Sequence, residues 1–384
     1  MRIVLAGIVL AAVCAAATGG RCDEPAVPDP GQLARVDARE PVTYDVELVY
    51  AVTAPAGTRE LRVWIPVPQT GDGQEIRSAE FETFPDDQAP AIESEPEFGN
   101  RFASFVFKRP LGAQVIRTRI RATVQELRWN VDPEEVRLPE TWPASFDVYR
   151  RHEPGAVATD ERFQATLMRI VPDRGGSVTD FTRVLRWVDE SLEYDHHDAS
   201  LRASAEHALE RRRGHCSDYH SLCAAFGRLL GQPTRVAYGL NLFPKGSPSH
   251  CKLEAFLPPY GWVSFDVSET QRLSRRIEQD ESMSAAEREA LRRACFARLD
   301  SGFRENSWLA QTRGTNYELA PRASRKVNVV RTLYAEADGE PLPEPDPADP
   351  DERMFAWMTA HRFTADREVP NPFVDRGTLA PWIR

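Results

Sequence analysis

Apolar residues fall on every second position at Val42, Tyr44, Val46, Leu48, Tyr50 and Val52, with mostly polar residues between them. Successive side chains point to opposite faces of a strand, so this period puts one face in a core and the other in water. Ile116, Thr118, Ile120, Ala122 and Val124 repeat the pattern against Arg117, Arg119 and Arg121. Leu61 to Pro66 reads as another strand, ended by proline, and Phe98-Gly99-Asn100 is a turn signal before Phe102 to Phe107. Several short strands with Pro/Gly turns and little helical period predict an antiparallel β-sandwich over residues 41–130.

After the proline-marked stretch from Asp132 to Pro154 the period changes. Phe163, Leu167 and Ile170 share one helical face, as do Phe181, Val184, Leu185, Val188 and Leu192. A third helix is predicted from Cys216 to Leu230, stopped by Gly231 and Pro233. Strands follow at 235–240, 252–257 and 262–267, the last two joined through Pro258-Pro259-Tyr260-Gly261. Helices followed by antiparallel strands predict an α+β domain, placed at 155–340. Within it, 280–299 reads as a charged surface helix and Asn328 to Tyr334 as a strand. Residues 341–384 read as a Pro/acid-rich linker and C-terminal tail, with a docking helix at Met354 to Phe363.

The 384 residues carry 48 Lys+Arg and 58 Asp+Glu, a formal charge of −10. That balance argues against a phosphate-backbone binder, so no nucleic-acid partner is expected. The apolar run from Ile3 to Ala17, behind Arg2 and ahead of small residues, reads as a signal peptide at 1–22 with a flexible lead-in at 23–40. No membrane span beyond that leader is expected. Export, periplasmic or secreted, is therefore the localisation read from the sequence. An N-terminal membrane anchor is a lesser reading because the run is short for a span, and a lipid anchor is another because Val13 and Arg21 precede Cys14 and Cys22 where a small residue belongs.

The densest cluster of reactive side chains is Gly214-His215-Cys216-Ser217-Asp218-Tyr219-His220-Ser221-Leu222-Cys223. Cys216 opens a helix, where free N–H groups and the dipole favour a thiolate. Downstream, His250 and Glu254 share a strand face, and Trp262, Ser264 and Asp266 share a face of the next strand. A hairpin can then hold an imidazole beside a carboxylate, and a thiol brought to it completes a nucleophile, a base and an orienter.

The segments RRGHCSDYHSLCAAFGRLLGQPTRVAYGL and HCKLEAFLPPYGWVSFDVSE resemble the transglutaminase-like cysteine hydrolases of bacteria. The resemblance is strong over 178–270 and weaker over 41–130 and 310–340. It implies a papain-type triad with Cys216 as nucleophile, His250 as general base and acid, and Asp266 as orienter. Tyr194 matches an aromatic residue that precedes the catalytic block. Tyr194, Lys252, Glu254 and Trp262 are the implied substrate-binding or supporting residues. The implied reaction is acyl transfer from an amide of a protein or peptide substrate, by a peptidase or amidase, with no cofactor and no metal. A transamidase using an amine acceptor is the alternative, and a non-catalytic exported scaffold with a vestigial site is a second.

Lys252 stands where the family usually has an aromatic residue. On the His250 face it is expected at or near the cleft, where it would disfavour imidazolium and suit an acidic substrate, or else it snorkels to solvent. Cys251 and Cys295, both outside the triad, are the candidate disulfide pair. A metal at Cys216, His220 and Cys223 is the rival reading of the helix. The i, i+7 sulfurs stand about 10 Å apart along the axis, too far for one tetrahedral ion. His220 and Cys223 then read as packing residues and His215 as a solvated flank.

Overall fold

The computed structural model describes residues 27–244, 248–343 and 355–383, so the leader expected at 1–22 lies outside the described residues. Six strands come first: β1 (Asp37–Thr53), β2 (Glu60–Val67), β3 (Gln74–Phe84), β4 (Ala91–Ser94), β5 (Arg101–Lys108) and β6 (Ala113–Arg128). They are followed by α1 (Glu161–Ile170), α2 (Ser177–Ser191), β7 (Glu193–Tyr194), α3 (Ala205–Arg211), β8 (Arg213–Gly214) and α4 (Cys216–Leu229). Next come β9 (Thr234–Asn241), β10 (Ser249–Leu257), β11 (Gly261–Phe265), α5 (Val267–Gln279) and α6 (Ala285–Asp300). Then come β12 (Phe303–Arg304), β13 (Trp308–Arg313), β14 (Tyr334–Ala337), β15 (Glu340–Pro341) and β16 (Ala356–Ala365), followed by a 3-10 helix at Arg376–Trp382.

One antiparallel sheet runs β12-β6-β1-β16, with β3 also on β6, and a second runs β15-β14-β2-β5-β4. Their apolar faces meet in one core: Val46 and Leu48 of β1 and Ile120 of β6 pack with Val63 of β2, Phe105 of β5 and Ala335 of β14. The wet face of β6 is laced to its neighbours, with Arg117 reaching Glu82 at 3.3 Å and Glu47 at 3.6 Å. The alternation of β1 and β6 is therefore that of a sandwich strand. The sandwich also takes strands from beyond 41–130. β14 pairs with β2, and β16 pairs with β1 from Val52 to Tyr44. Of Met354 to Phe363, expected as a docking helix, residues 356–363 form part of strand β16, and Met354 lies outside the described residues. The segment's apolar run is short enough to suit either period, and the open edge of β1 decides between them. The strand expected at Asn328 to Tyr334 lies later, at Tyr334–Ala337.

The mixed part has a third antiparallel sheet, β11-β10-β9-β13, and α4 as its central helix. Leu222, Cys223 and Phe226 of α4 share a buried cluster with Leu253 and Ala255 of β10 and with Phe181, Val184 and Leu185 of α2. A helix buried on nearly all sides needs apolar or small residues all round, and Ala224, Ala225 and Gly227 meet that need. Helix α5 was not read from the sequence. It begins directly after Asp266, whose side chain caps it by accepting from the Glu269 N–H.

Candidate active site

Local chemistry fixes the start of α4. Gly214 has φ +152°, and a Cβ there would lie 2.7 Å from the Asp218 side chain, so glycine is required. His215 is the N-cap: its Nδ1 accepts from the Ser217 N–H at 3.3 Å, while the Asp218 carboxylate accepts from the His215 N–H at 3.3 Å. His215 is buried, so the solvated flank expected for it is replaced by a capping box. The box leaves Cys216 as the first helical residue, half-buried, at the positive end of the helix.

His250 stands near the start of β10. Gly239, opposite it on β9, makes room for Trp308, since a Cβ there would meet the Trp308 ring at 2.6 Å. The Trp308 Nε1–H donates to the His250 carbonyl at 3.1 Å and fixes the backbone behind the imidazole. The His250 ring lies with Nε2 2.7 Å from Asp266 Oδ2. It also hydrogen-bonds the Cys216 sulfur, which leaves Nδ1 as the nitrogen facing the thiol. Cys216, His250 and Asp266 are thus brought together.

A hydrogen bond with Cys251 does most to hold the Cys216 thiol well below the ordinary thiol range. Burial works against that shift, and the charge and hydrogen bond of His250 add to it. The Cys251 thiol is pushed far up, first by burial and then by Cys216, so Cys251 stays protonated and donates to the Cys216 thiolate. Behind it, His220 Nδ1 lies 3.4 Å from Cys251 Sγ, and the Val267 N–H donates to His220 Nε2 at 3.2 Å. Because Nε2 accepts, the ring proton sits on Nδ1 and points at Cys251. Burial lowers the His220 pKa to about 4, so the ring is neutral in this chain of bonds.

Asp266 is surrounded by donors. Oδ1 takes the Glu269 N–H at 3.0 Å and the Ser268 hydroxyl at 3.1 Å, and Oδ2 takes His250 together with the Lys252 ammonium at 2.7 Å. Burial opposes its ionisation, but Lys252 and His250 hold the carboxyl well below the usual carboxylate range. Lys252 shares the His250 face, yet it neither lines the cleft nor snorkels. It is fully buried between Asp266 and Glu305, the latter at 2.9 Å. Burial disfavours the ammonium, and the two carboxylates outweigh it, so its pKa is raised.

Of the remaining candidates, Tyr194 sits near the thiol. Its ring lies 5.8 Å from that of Tyr219, and its hydroxyl is held far above the ordinary range by burial and then by the charge of Cys216. Glu254 and Trp262 lie toward the other end of the β10–β11 hairpin. Glu254 is buried and bonds Arg235 at 2.7 Å, and the Arg235 guanidinium stacks 3.8 Å from the Trp262 ring. They brace the sheet instead of lining the thiol. The expected disulfide is absent. Cys251 and Cys295 are free, the one beside α4 and the other packed with Leu273 and Ile277 of α5. Among the described residues no group of three or more His, Cys, Asp or Glu side chains could hold a metal ion.

Sequence reasoning missed Cys251, His220 and Glu305. Strand alternation puts Cys251 on the face opposite His250 and Lys252, and α4 covers that face, which brings the Cys216 sulfur to Cys251. The i, i+4 spacing of Cys216 and His220 was a visible signal of a shared face, and Glu305 carried none.

Residues 170–267 match the family model described as the transglutaminase-like superfamily. An uncharacterised protein of Haemophilus influenzae is 23% identical over 346 residues, covering 80% of this chain and 89% of that protein. The crystal structure of a candidate cysteine protease from Cytophaga hutchinsonii aligns with a TM-score of 0.56 and 13% identity, over 89% of this chain and 96% of that one. That likeness is one of fold, and it extends over the sandwich as well as the helices. The segment that brings Cys216, His250 and Asp266 together is thus a domain of the transglutaminase-like superfamily.

Proposed function

We propose that this chain is an exported thiol acyl-transfer enzyme that opens an amide or peptide bond. The observation that carries this reading is the Cys216–His250–Asp266 line, with its carboxylate–imidazole distance of 2.7 Å and its thiol already biased to thiolate. The Cys216 thiol passes its proton to His250 Nδ1, and the sulfur attacks the carbonyl carbon to form a C–S bond while the carbonyl π electrons move to the oxygen, which takes the negative charge. The backbone N–H of Cys216, at the helix start, is the donor proposed for that oxygen. As the C–N bond breaks, His250 Nδ1 gives its proton to the leaving amine, and a thioester remains. Water, deprotonated by His250, then attacks the thioester and releases the acid and the thiol. Asp266 keeps the ring oriented and stabilises the imidazolium formed between these steps.

Hydrolysis is the favoured outcome, with transamidation to an amine as the second reading. The test is reaction of the full chain with iodoacetamide near pH 6, with the modified cysteine identified by mass spectrometry. Peptide profiling with and without an added primary amine follows. Labelling of Cys216 and new peptide termini support a peptidase, and amine incorporation supports a transamidase. An unreactive Cys216 overturns both.

A further inference from the structure

A cleft of about 560 Å³ is lined by Arg202, Arg325 and Lys326 and by the apolar side chains of Val329 and Leu342, among others, and among the described residues no carboxylate lines it. Such a cleft stands out in a chain whose formal charge is −10. One of its walls reaches the packing around the thiol. Val329 belongs, with Ala203 and Cys251, to the small buried cluster against which Cys216 packs.

The wall that carries Arg202 is tied to the helix start itself. Asp218, in the first turn of α4, accepts from the Ser200 N–H at 3.1 Å and the Ser204 N–H at 3.1 Å, and Asn328 Nδ2 donates to the Arg202 carbonyl at 3.4 Å. On either side of Arg202, Leu201 and Ala203 adopt φ of 56° and 57°, left-handed values that non-glycine residues avoid. Backbone cost of this kind persists where the surroundings impose a conformation, and it concentrates at functional sites. The result is an exposed guanidinium on a fixed loop beside the Cys216 helix start. Lys326 is neutralised in part by Glu97, with which it forms an ion pair. Arg325 is exposed, and it also bonds the Tyr334 hydroxyl.

We infer that this cleft binds acidic side chains of a peptide or protein acyl donor, with Arg202 and Arg325 as the specificity-determining cations. The inference rests on the thiol reading above and adds the class of substrate to it. The apolar floor at Val329 and Leu342 takes the aliphatic part of the chain, and the guanidiniums take the carboxylates.

The test uses the full chain and two peptide vinyl sulfones identical except for Glu against Gln beside the electrophile, with labelling of Cys216 read by mass spectrometry. The Glu probe should label faster than the Gln probe, and added salt should narrow the difference. Arg202→Glu/Arg325→Glu should lower the Glu/Gln rate ratio by about fivefold or more, and Arg202→Lys/Arg325→Lys should keep it. A ratio that is unchanged by the charge reversal, with Cys216 still labelled, overturns the cleft proposal and leaves the thiol mechanism standing. Failure of both probes and of iodoacetamide to label Cys216 overturns the mechanism, and the cleft proposal with it.

Discussion

His250 and Lys252 meet on a single oxygen: Nε2 of the one and Nζ of the other each lie 2.7 Å from Asp266 Oδ2. One carboxylate therefore serves an imidazole and a buried ammonium at once, and Glu305 on the far side of Lys252 restores the balance of charge. A cation so close to the ring makes imidazolium less favourable than an uncharged neighbour would.

Replacing the ammonium should therefore strengthen the imidazolium. Lys252→Met should raise the His250 pKa, seen as a midpoint moved to higher pH when its ring resonances are followed in an NMR titration. The same change strands Asp266 and Glu305 in the interior and should cost about 3–5 kcal/mol of stability. Lys252→Met/Glu305→Gln should recover part of that loss while keeping the shifted titration. An unmoved His250 titration in both variants would show that Lys252 is purely structural.

The thiolate bias of Cys216 should appear in its alkylation rate. A depressed thiol pKa means the thiolate persists as pH falls, so iodoacetamide should label Cys216 below the pH range of an ordinary thiol. His250→Ala removes a charge and a hydrogen bond that favour the thiolate, and should cut the rate at pH 6 by about tenfold or more. Cys216→Ala should abolish labelling and turnover with little change in thermal unfolding.

Cys251 is predicted to tune the nucleophile without replacing it. Its thiol contributes most to holding Cys216 low, so Cys251→Ala should move the acid limb of Cys216 labelling to higher pH. Cys251→Ser retains a donor and should stay closer to wild type. Labelling of Cys251 itself should stay negligible, because burial holds it as a thiol.

Glu254 should matter for stability alone. Burial opposes its ionisation, but Arg235, Arg313 and Arg304 lower its pKa from 4.5 to about 2. A folded value below the unfolded one stabilises the fold above the unfolded pKa. That contribution is lost as pH falls from about 4.5 through about 2. Glu254→Gln should lower the unfolding temperature at pH 7, with a smaller difference at pH 3, and leave the labelling of Cys216 intact.

The sandwich strands β1 and β6, helix α4 and the β10–β11 hairpin could be read from period and punctuation, because each is specified by residues close in sequence. Gly214, His215 and Asp218 build the start of α4 within five residues, and one hairpin joins His250 to Asp266. Helix α5 is hidden in the sequence because only Asp266 separates it from β11, and the apolar Val267 prolongs the strand period across the helix start.

The sequence by itself determined which residues share a face: His250 with Lys252, and Cys251 opposite them. Only the tertiary structure decided what covers each face. Helix α4 lies over the Cys251 side, which turns a residue read as half of a disulfide into the thiol that holds Cys216 low. Glu305 arrives from beyond β12 and turns Lys252 from a cleft residue into a buried counter-ion. β16 returns from the far end of the chain to close the edge of β1. Periodicity records the environment of a side chain as apolar or polar, and the partner that supplies that environment is chosen by contacts between segments far apart in the chain.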